Sequence, residues 1–327
     1  FRLYAGGMAV SLAGTWMQNM AQAWLVYRLT RSEWMLGLTW FCASLPVLLL
    51  SPIAGAMADR WPRRSIVMAT QVVGMVQAAI LAALTISGRV EIWHVLVLAF
   101  VLGISTAFDI PSRQSLFIHL VGKDDLLNAI SLNSATFNVA RVIGPSVGGF
   151  IVALWGEGMC FLLNSLSFIA VLVCLAAMRV REQPRAQAES PVDSLKEGIA
   201  FVRRTPEALA LLALCGLISL AGSPGTTLAP VFAEGIFKMG AQGLGLLSAG
   251  MGVGAILGTL SLARRRATKG LPKVILGSTA MMAVAMGIYG ASPSFWLCLA
   301  MMPVIGMSVM RHSASANTTI QMSIPDA

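Results

Sequence analysis

The sequence predicts an all-α polytopic membrane protein, and three observations carry the prediction. Hydrophobic residues make up 57% of the 327 and charged residues only 11%, and the mean hydropathy is +0.77, far from the mix of a soluble domain. The charges gather in short islands, and the apolar runs between them reach the roughly 20 residues that span a bilayer. Those runs lack the alternation of a transmembrane barrel. The net charge of +9 does not point to nucleic acid, because the arginines lie in helix-connecting loops and form no continuous basic face. Cys42, Cys160, Cys174, Cys215 and Cys298 are dispersed through apolar runs and read as small buried hydrophobes.

Ten spans follow from the hydropathy pattern: 3–27, 34–57, 65–87, 93–120, 126–155, 159–178, 208–233, 240–262, 273–290 and 294–320. The first carries Thr15, Gln18, Asn19 and Gln22 among its apolar residues. The second and third are uncharged from Trp34 to Met57 and from Ser65 to Ser87, and they meet in the turn Gly55-Ala-Met-Ala-Asp59-Arg60-Trp-Pro62-Arg63-Arg64. If that turn is cytoplasmic, 17 of the 23 basic residues share its side. Only Arg28, Arg31, Arg89 and Lys238 lie on the other, and Arg141 and Arg311 lie within the bilayer. This asymmetry sets the orientation.

The fourth span holds Asp109, the one acid well inside a helix, with Arg113 a turn further on and Arg141 on the neighbouring span. Intramembrane charges are functional candidates by default. Asp109 reads either as a proton-titrating group or as a latch to Arg63, Arg113 or Arg141, and its basic neighbours favour the latch. In the fifth span, Arg141-Val-Ile-Gly144-Pro145-Ser-Val-Gly148-Gly149 places small residues at intervals of four. The eighth span offers a matching strip in Gly250, Gly254 and Gly258. The two strips are expected to form the contact between halves of the protein. Residues 179–207 form a polar linker whose second part, 194–204, reads as an amphipathic surface helix. The seventh span carries Ser223 and Thr226, and the tenth carries Arg311, His312 and Asn317. With Thr15, Gln18, Asn19 and Gln22 they suit the wall of a polar–aromatic cavity for an amphipathic small molecule.

Shifting the chain by 203 residues superposes Gly37 on Gly240, Gly55 on Gly258, Arg63 on Arg266, Trp93 on Trp296 and Gly103 on Gly306. That points to a parallel duplication of a six-helix unit. The expected organisation is a six-helix half at 1–178, the linker at 179–207 and a four-helix partial half at 208–327, with the last two helices of the second half absent. The chain starts at Phe1 without methionine, and it reads as a fragment. No nucleotide-binding loop or metal-ligand spacing occurs, and nothing suggests an enzyme.

The turn G-x-x-x-D-R-x-x-R-R resembles the signature loop of the major facilitator superfamily, with Pro62 where that family usually has glycine. G-P-x-x-G-G at 144–149 is similar to the motif of its drug-exporting members. With Gln22-Ala-Trp-Leu-Val-Tyr27, Phe108-Asp-Ile-Pro-Ser-Arg113 and Leu163-Asn-Ser-Leu-Ser-Phe168, these phrases resemble the bacterial branch of enterobactin exporters and macrolide-efflux-like permeases. The resemblance implies a major facilitator fold of two six-helix halves and a cavity lined by the first, fourth, seventh and tenth helices. It further implies alternating-access export of a drug or siderophore across the bacterial inner membrane. The energy source would be the proton gradient rather than a cofactor, and the chain would act as a monomer in the lipid bilayer. The rivals are an uptake or lipid-moving member of the same fold and a membrane-embedded sensor or scaffold. Asp59→Asn is expected to leave insertion and protein level intact and to slow transport severely; normal export at normal protein level contradicts the assignment of the turn.

Overall fold

The structure, a computed structural model, describes residues 2–121, 126–178, 227–264 and 270–323 and isolated positions between 200 and 220. The described residues are almost wholly helical. Six helices come first: α1 (Arg2–Thr30), α2 (Glu33–Arg60), α3 (Arg63–Ile86), α4 (Ile92–Val121), α5 (Leu126–Trp155) and α6 (Glu157–Ala177). A π-wound segment, Val231–Ile236, precedes α7 (Gly240–Ala263), α8 (Leu271–Ala291) and α9 (Phe295–Ser323), which correspond to the eighth, ninth and tenth expected spans. Most of the seventh span and the amphipathic helix at 194–204 lie outside the described residues.

Among the described residues, eight helices are long and apolar enough to cross a membrane, and α1 is not among them. Its exception has a physical cause, since α1 meets protein on most of its faces. Gly7, Gly14, Gln18 and Leu25 share one face, and the first two lie against Cys174 and Asn164 of α6. Ala13, Trp16 and Met17 meet α5. A helix shielded from lipid in this way tolerates amides, provided each finds a partner. Gln18 does so, donating to Gln77 Oε1 of α3 at 3.0 Å and accepting from Asn164 Nδ2 of α6 at 2.7 Å. It is therefore a strut of the six-helix half rather than the cavity residue expected from its polarity. Thr15 likewise turns inward to its own helix, donating to Ser11 O at 2.9 Å.

Lipid-facing surfaces show the opposite pattern. Trp34, Trp93 and Trp296 open α2, α4 and α9 and Trp155 closes α5, with exposures of 75%, 55%, 70% and 66%. All four mark the surface opposite the arginine-rich end, where amphipathic indoles sit at the headgroup level.

The turn between α2 and α3 is shorter than expected. Helix α2 continues through Gly55 to Arg60, so Asp59 lies in its last turn, and only Trp61 and Pro62 separate the helices. The Trp61 N–H still donates to Met57 O at 2.9 Å. Pro62, at φ −56°, leads directly into α3, where a missing N–H leaves no intrahelical bond unmade.

The duplication is visible in the helix bounds. Helix α7 starts 203 residues after Gly37 and ends 203 after Arg60, the end of α2; α9 starts 203 after Ile92, the start of α4. Helix α4 packs on α2 and α9 on α7. Gly103 permits the first contact, against Ala43 and Pro46, and Gly306 the second, against Met251 and Ala255. Between the two groups of helices, α5 packs along α7.

Gln18→Leu and Asn164→Leu are each expected to destabilise the folded protein by about 1 kcal/mol in the membrane. The double variant should lose less than the sum because the two share one network. Reversible unfolding in mixed micelles measures this; full additivity would show that the two amides act independently.

Candidate functional site

Helical periodicity builds the site from two matching faces. Trp16, Asn19, Met20 and Ala23 of α1 recur at i, i+3, i+4 and i+7, and so do Leu244, Leu247, Ser248 and Met251 of α7. With Trp40 of α2, Arg141 and Pro145 of α5, Ala229, Pro230 and Met302, they enclose a cavity of about 210 Å³ where the two groups of helices meet. A side crevice of about 60 Å³ shares Asn19, Ala23 and Trp40, and Gln22 and Thr39 contribute to its wall.

Close approach of α1 to α5 shapes the cavity. A Cβ at Gly144 would come within 2.6 Å of Ala13 O and 2.7 Å of Trp16 Cβ, so only glycine fits there without displacement. Trp16 is thereby held by two α5 residues one turn apart. Phe137 meets it edge to face at 5.6 Å between centroids, and the Arg141 guanidinium lies 5.4 Å from its ring centre. Such an arrangement is attractive for both partners. Pro145 lacks an N–H and so leaves the Arg141 carbonyl without its intrahelical donor, beside the same cavity.

The two small-residue strips are oriented differently from the expectation. Helices α5 and α7 do meet, but through Gly149, which faces Ala241 and Gly245, and through Val142, which faces Gly252. Gly144 and Gly148 instead face α1, the latter against Met17 and Met20. Gly250, Gly254 and Gly258 face α9, against Met302, Pro303 and Met307. Sequence spacing identified small faces correctly but not which neighbour each one meets, because both helices carry glycine on more than one face.

At the arginine-rich end, the motif arginines act as helix ties. Arg64 donates to the carbonyls of Leu175 (2.9 Å) and Ala176 (3.1 Å) at the C-terminus of α6. There the last carbonyls lack N–H partners and the helix dipole favours a cation. Arg63 Nη1 donates to Ser115 O of α4 at 3.4 Å. Arg60 is exposed, and a Cβ at Gly55 would meet nothing within 4 Å. The Asp59 side chain lies outside the described residues. Asp109 is buried between α3 and α4. It accepts from Thr70 Oγ1 at 3.0 Å and Gln71 Nε2 at 3.1 Å, and it pairs with Arg113 Nε at 3.1 Å. Arg141, an expected partner, is engaged with Trp16 instead.

The residues expected to line the cavity separate accordingly. Asn19 lines the main cavity and Gln22 the side crevice. His312 is buried, its Nδ1 3.3 Å from Thr279 Oγ1 of α8. Arg311 is half-buried, with an Nε that has no partner among the described residues, and Asn317 is exposed. Ser223 and Thr226 lie outside the described residues. Sequence reasoning missed Trp40 and Ser248. The second was legible as the polar residue in mid-span of α7, on the same spacing as the α1 face.

Opposite the arginine-rich end, α1 meets the second group of helices. Tyr27 Oη lies 3.2 Å from the Cβ position of Gly235, and Arg31 Nη1 lies 3.4 Å from Glu234 Oε1. Val26 and Tyr27 share an apolar cluster with Ala229 and Ala233.

Two groups of membrane-spanning helices in parallel repeat, with a cavity at their junction, define a multi-pass membrane protein of the major facilitator fold. The chain belongs to the MFS_3 family, described as transmembrane secretion effectors, whose profile it matches over residues 1–327. It is 31% identical to the staphyloferrin A transporter of Staphylococcus aureus over 252 residues, 76% of this chain and 63% of that protein. That match thus spans less than two thirds of the relative's length. It is 21% identical to macrolide efflux protein A of Streptococcus pyogenes over 323 residues, 97% of this chain and 80% of that one. Its fold is similar to that of the crystallised nucleoside transporter NupG, with a TM-score of 0.71 at 12% identity, covering 99% of this chain and 82% of that one.

Gly144→Leu is expected to push α1 away from α5 and release Trp16 from its clamp. In a cysteine-free background, Asn19→Cys should then change its labelling rate with a membrane-impermeant thiol reagent severalfold. An unchanged rate would show that α1 does not depend on Gly144 for its position.

Proposed function

We propose that the protein is a secondary active transporter that exports a small amphipathic organic molecule across the bacterial cytoplasmic membrane by alternating access. The proton gradient supplies the energy, and no cofactor is bound. The observation that carries this reading is the position of the cavity, at the junction of two repeated helix groups. Family membership and the staphyloferrin A and macrolide relatives support an organic cargo and an outward direction.

In this reading the contacts between the halves form a gate on the side away from the arginine-rich end. Gly149 against Gly245 brings α5 and α7 into backbone contact, and the end of α1 lies on the π-wound segment through Tyr27 and Arg31. Cargo enters from the arginine-rich side and leaves when this gate opens. The Arg31–Glu234 pair suits a gate that must release, since both side chains are partly exposed, at 59% and 31%. Exposed pairs of that kind contribute only about 0–1 kcal/mol. Asp109 acts as a latch in this account, because Thr70, Gln71 and Arg113 hold it between α3 and α4, away from the cavity.

Inverted membrane vesicles containing the protein are expected to accumulate a fluorescent naphthalene amphiphile when a proton gradient is imposed, and a protonophore should abolish the accumulation. Arg31→Glu and Glu234→Arg should each alter the transport rate, and the combined charge swap should restore it. Accumulation only in right-side-out vesicles would reverse the assigned direction, and failure of the swap to restore the rate would remove the pair from the gate.

A further inference from the structure

Resting on the transport reading, we infer that the cavity selects an anionic cargo: a carboxylate docks on Arg141 while the apolar body of the molecule lies against Trp16 and Trp40.

Depth makes Arg141 unusual. It is 15 residues into the 30-residue helix α5, about 22 Å along its axis and near the bilayer midplane. Arginine keeps its charge in proteins. A guanidinium at that depth costs about 2.5–3.5 kcal/mol even on the mildest scale. Its contact with Trp16 is a cation–π interaction of about 0.5–2 kcal/mol, which does not offset the cost. Among the described residues, Arg141 forms no ion pair, and none that lines the cavity is a carboxylate.

Three of the described acids are already engaged in ion pairs. Asp109 is held by Arg113, Thr70 and Gln71, Glu157 by Arg28, and Glu234 by Arg31. Among the described residues, the cavity therefore has one fixed positive charge and apolar walls, softened by Asn19 and Ser248. That field favours an anion and disfavours a cation. The planar fork of a guanidinium matches a carboxylate through two parallel hydrogen bonds. Phe137 also packs edge to face on Trp16, so the indole and its guanidinium partner are held in place before cargo arrives, and less ordering is needed on binding. Trp16 and Trp40 both line the cavity and offer aromatic surface to a flat body.

A matched pair of probes separates charge from shape: 1-naphthylacetate and its neutral analogue 1-naphthylacetamide, measured by equilibrium binding to the purified protein in lipid nanodiscs. The wild type is expected to prefer the carboxylate by roughly tenfold or more, since hydrogen bonds to charged groups are the strong ones. In Arg141→Gln the ratio should fall to about one, whereas Arg141→Lys should keep an intermediate preference. Continued binding of the amide shows that each variant is folded. A wild-type ratio near one, or an unchanged ratio in Arg141→Gln, overturns the inference. If vesicles transport both probes equally well, export stands and the anion preference falls. If neither probe binds the wild type, the cavity itself is misassigned and the inference fails with it.

Discussion

The architecture depends on how closely helix α5 approaches its neighbours on two sides. On one side Gly144 admits α1, so Trp16 comes to rest against Phe137 and Arg141; on the other, Gly149 admits Gly245 of α7 and joins the two repeated groups. In lipid no hydrophobic force separates helix–helix from helix–tail contact, so association rests on dispersion and on interhelical polar bonds. Backbone-to-backbone proximity is where dispersion gains most. A helix with small residues on two faces can be fixed to its own half while lying on a surface against which the other half moves.

Polar groups obey the same constraint and divide into three kinds. The amides Gln18, Gln77 and Asn164 are linked across α1, α3 and α6 and tie the first half together. Asp109 and the arginines at positions 63, 64 and 113 join α3, α4 and α6 near the arginine-rich end, partly through helix-terminal carbonyls. Arg141 belongs to neither group, because its neighbour is an aromatic ring and its surroundings include open volume. The distinction is between polar atoms bonded to other helices and a charge that borders open volume. It explains why two buried features with similar sequence signatures, Gln18 and Arg141, serve different ends.

Much of the fold was legible in the sequence because membranes demand long uninterrupted apolar helices. The six spans of the first half lie within three residues of the observed helices, and the 203-residue register places the end of α7 on that of α2 and the start of α9 on that of α4. The site was less legible. Residue type singled out Gln18, Thr15 and His312 for the cavity, yet their hydrogen bonds lead to Gln77, Ser11 and Thr279. Rotational phase, which decides such outcomes, depends on which neighbour packs against which face. Periodicity alone does not supply that. The same limit explains the glycine strips: the intervals of four were correct, but Gly254 meets Pro303 of its own half while Gly245 and Gly252 meet α5.

Helices α5 and α7 form the junction between halves through Val142–Gly252 and Gly149–Gly245, and the most direct measurement of that junction is disulfide cross-linking in native membranes. In a cysteine-free background, Val142→Cys with Gly252→Cys places two thiols at that crossing, where a Cβ on Gly252 would lie 3.0 Å from Val142 Cα, so the helices need to part only slightly for the sulfurs to reach disulfide geometry. Rapid cross-linking under mild oxidation is the result expected from this account. Absence of cross-linking at normal protein level, with efficient cross-linking instead between cysteines at 144 and 254, would contradict it and restore the strip-to-strip junction.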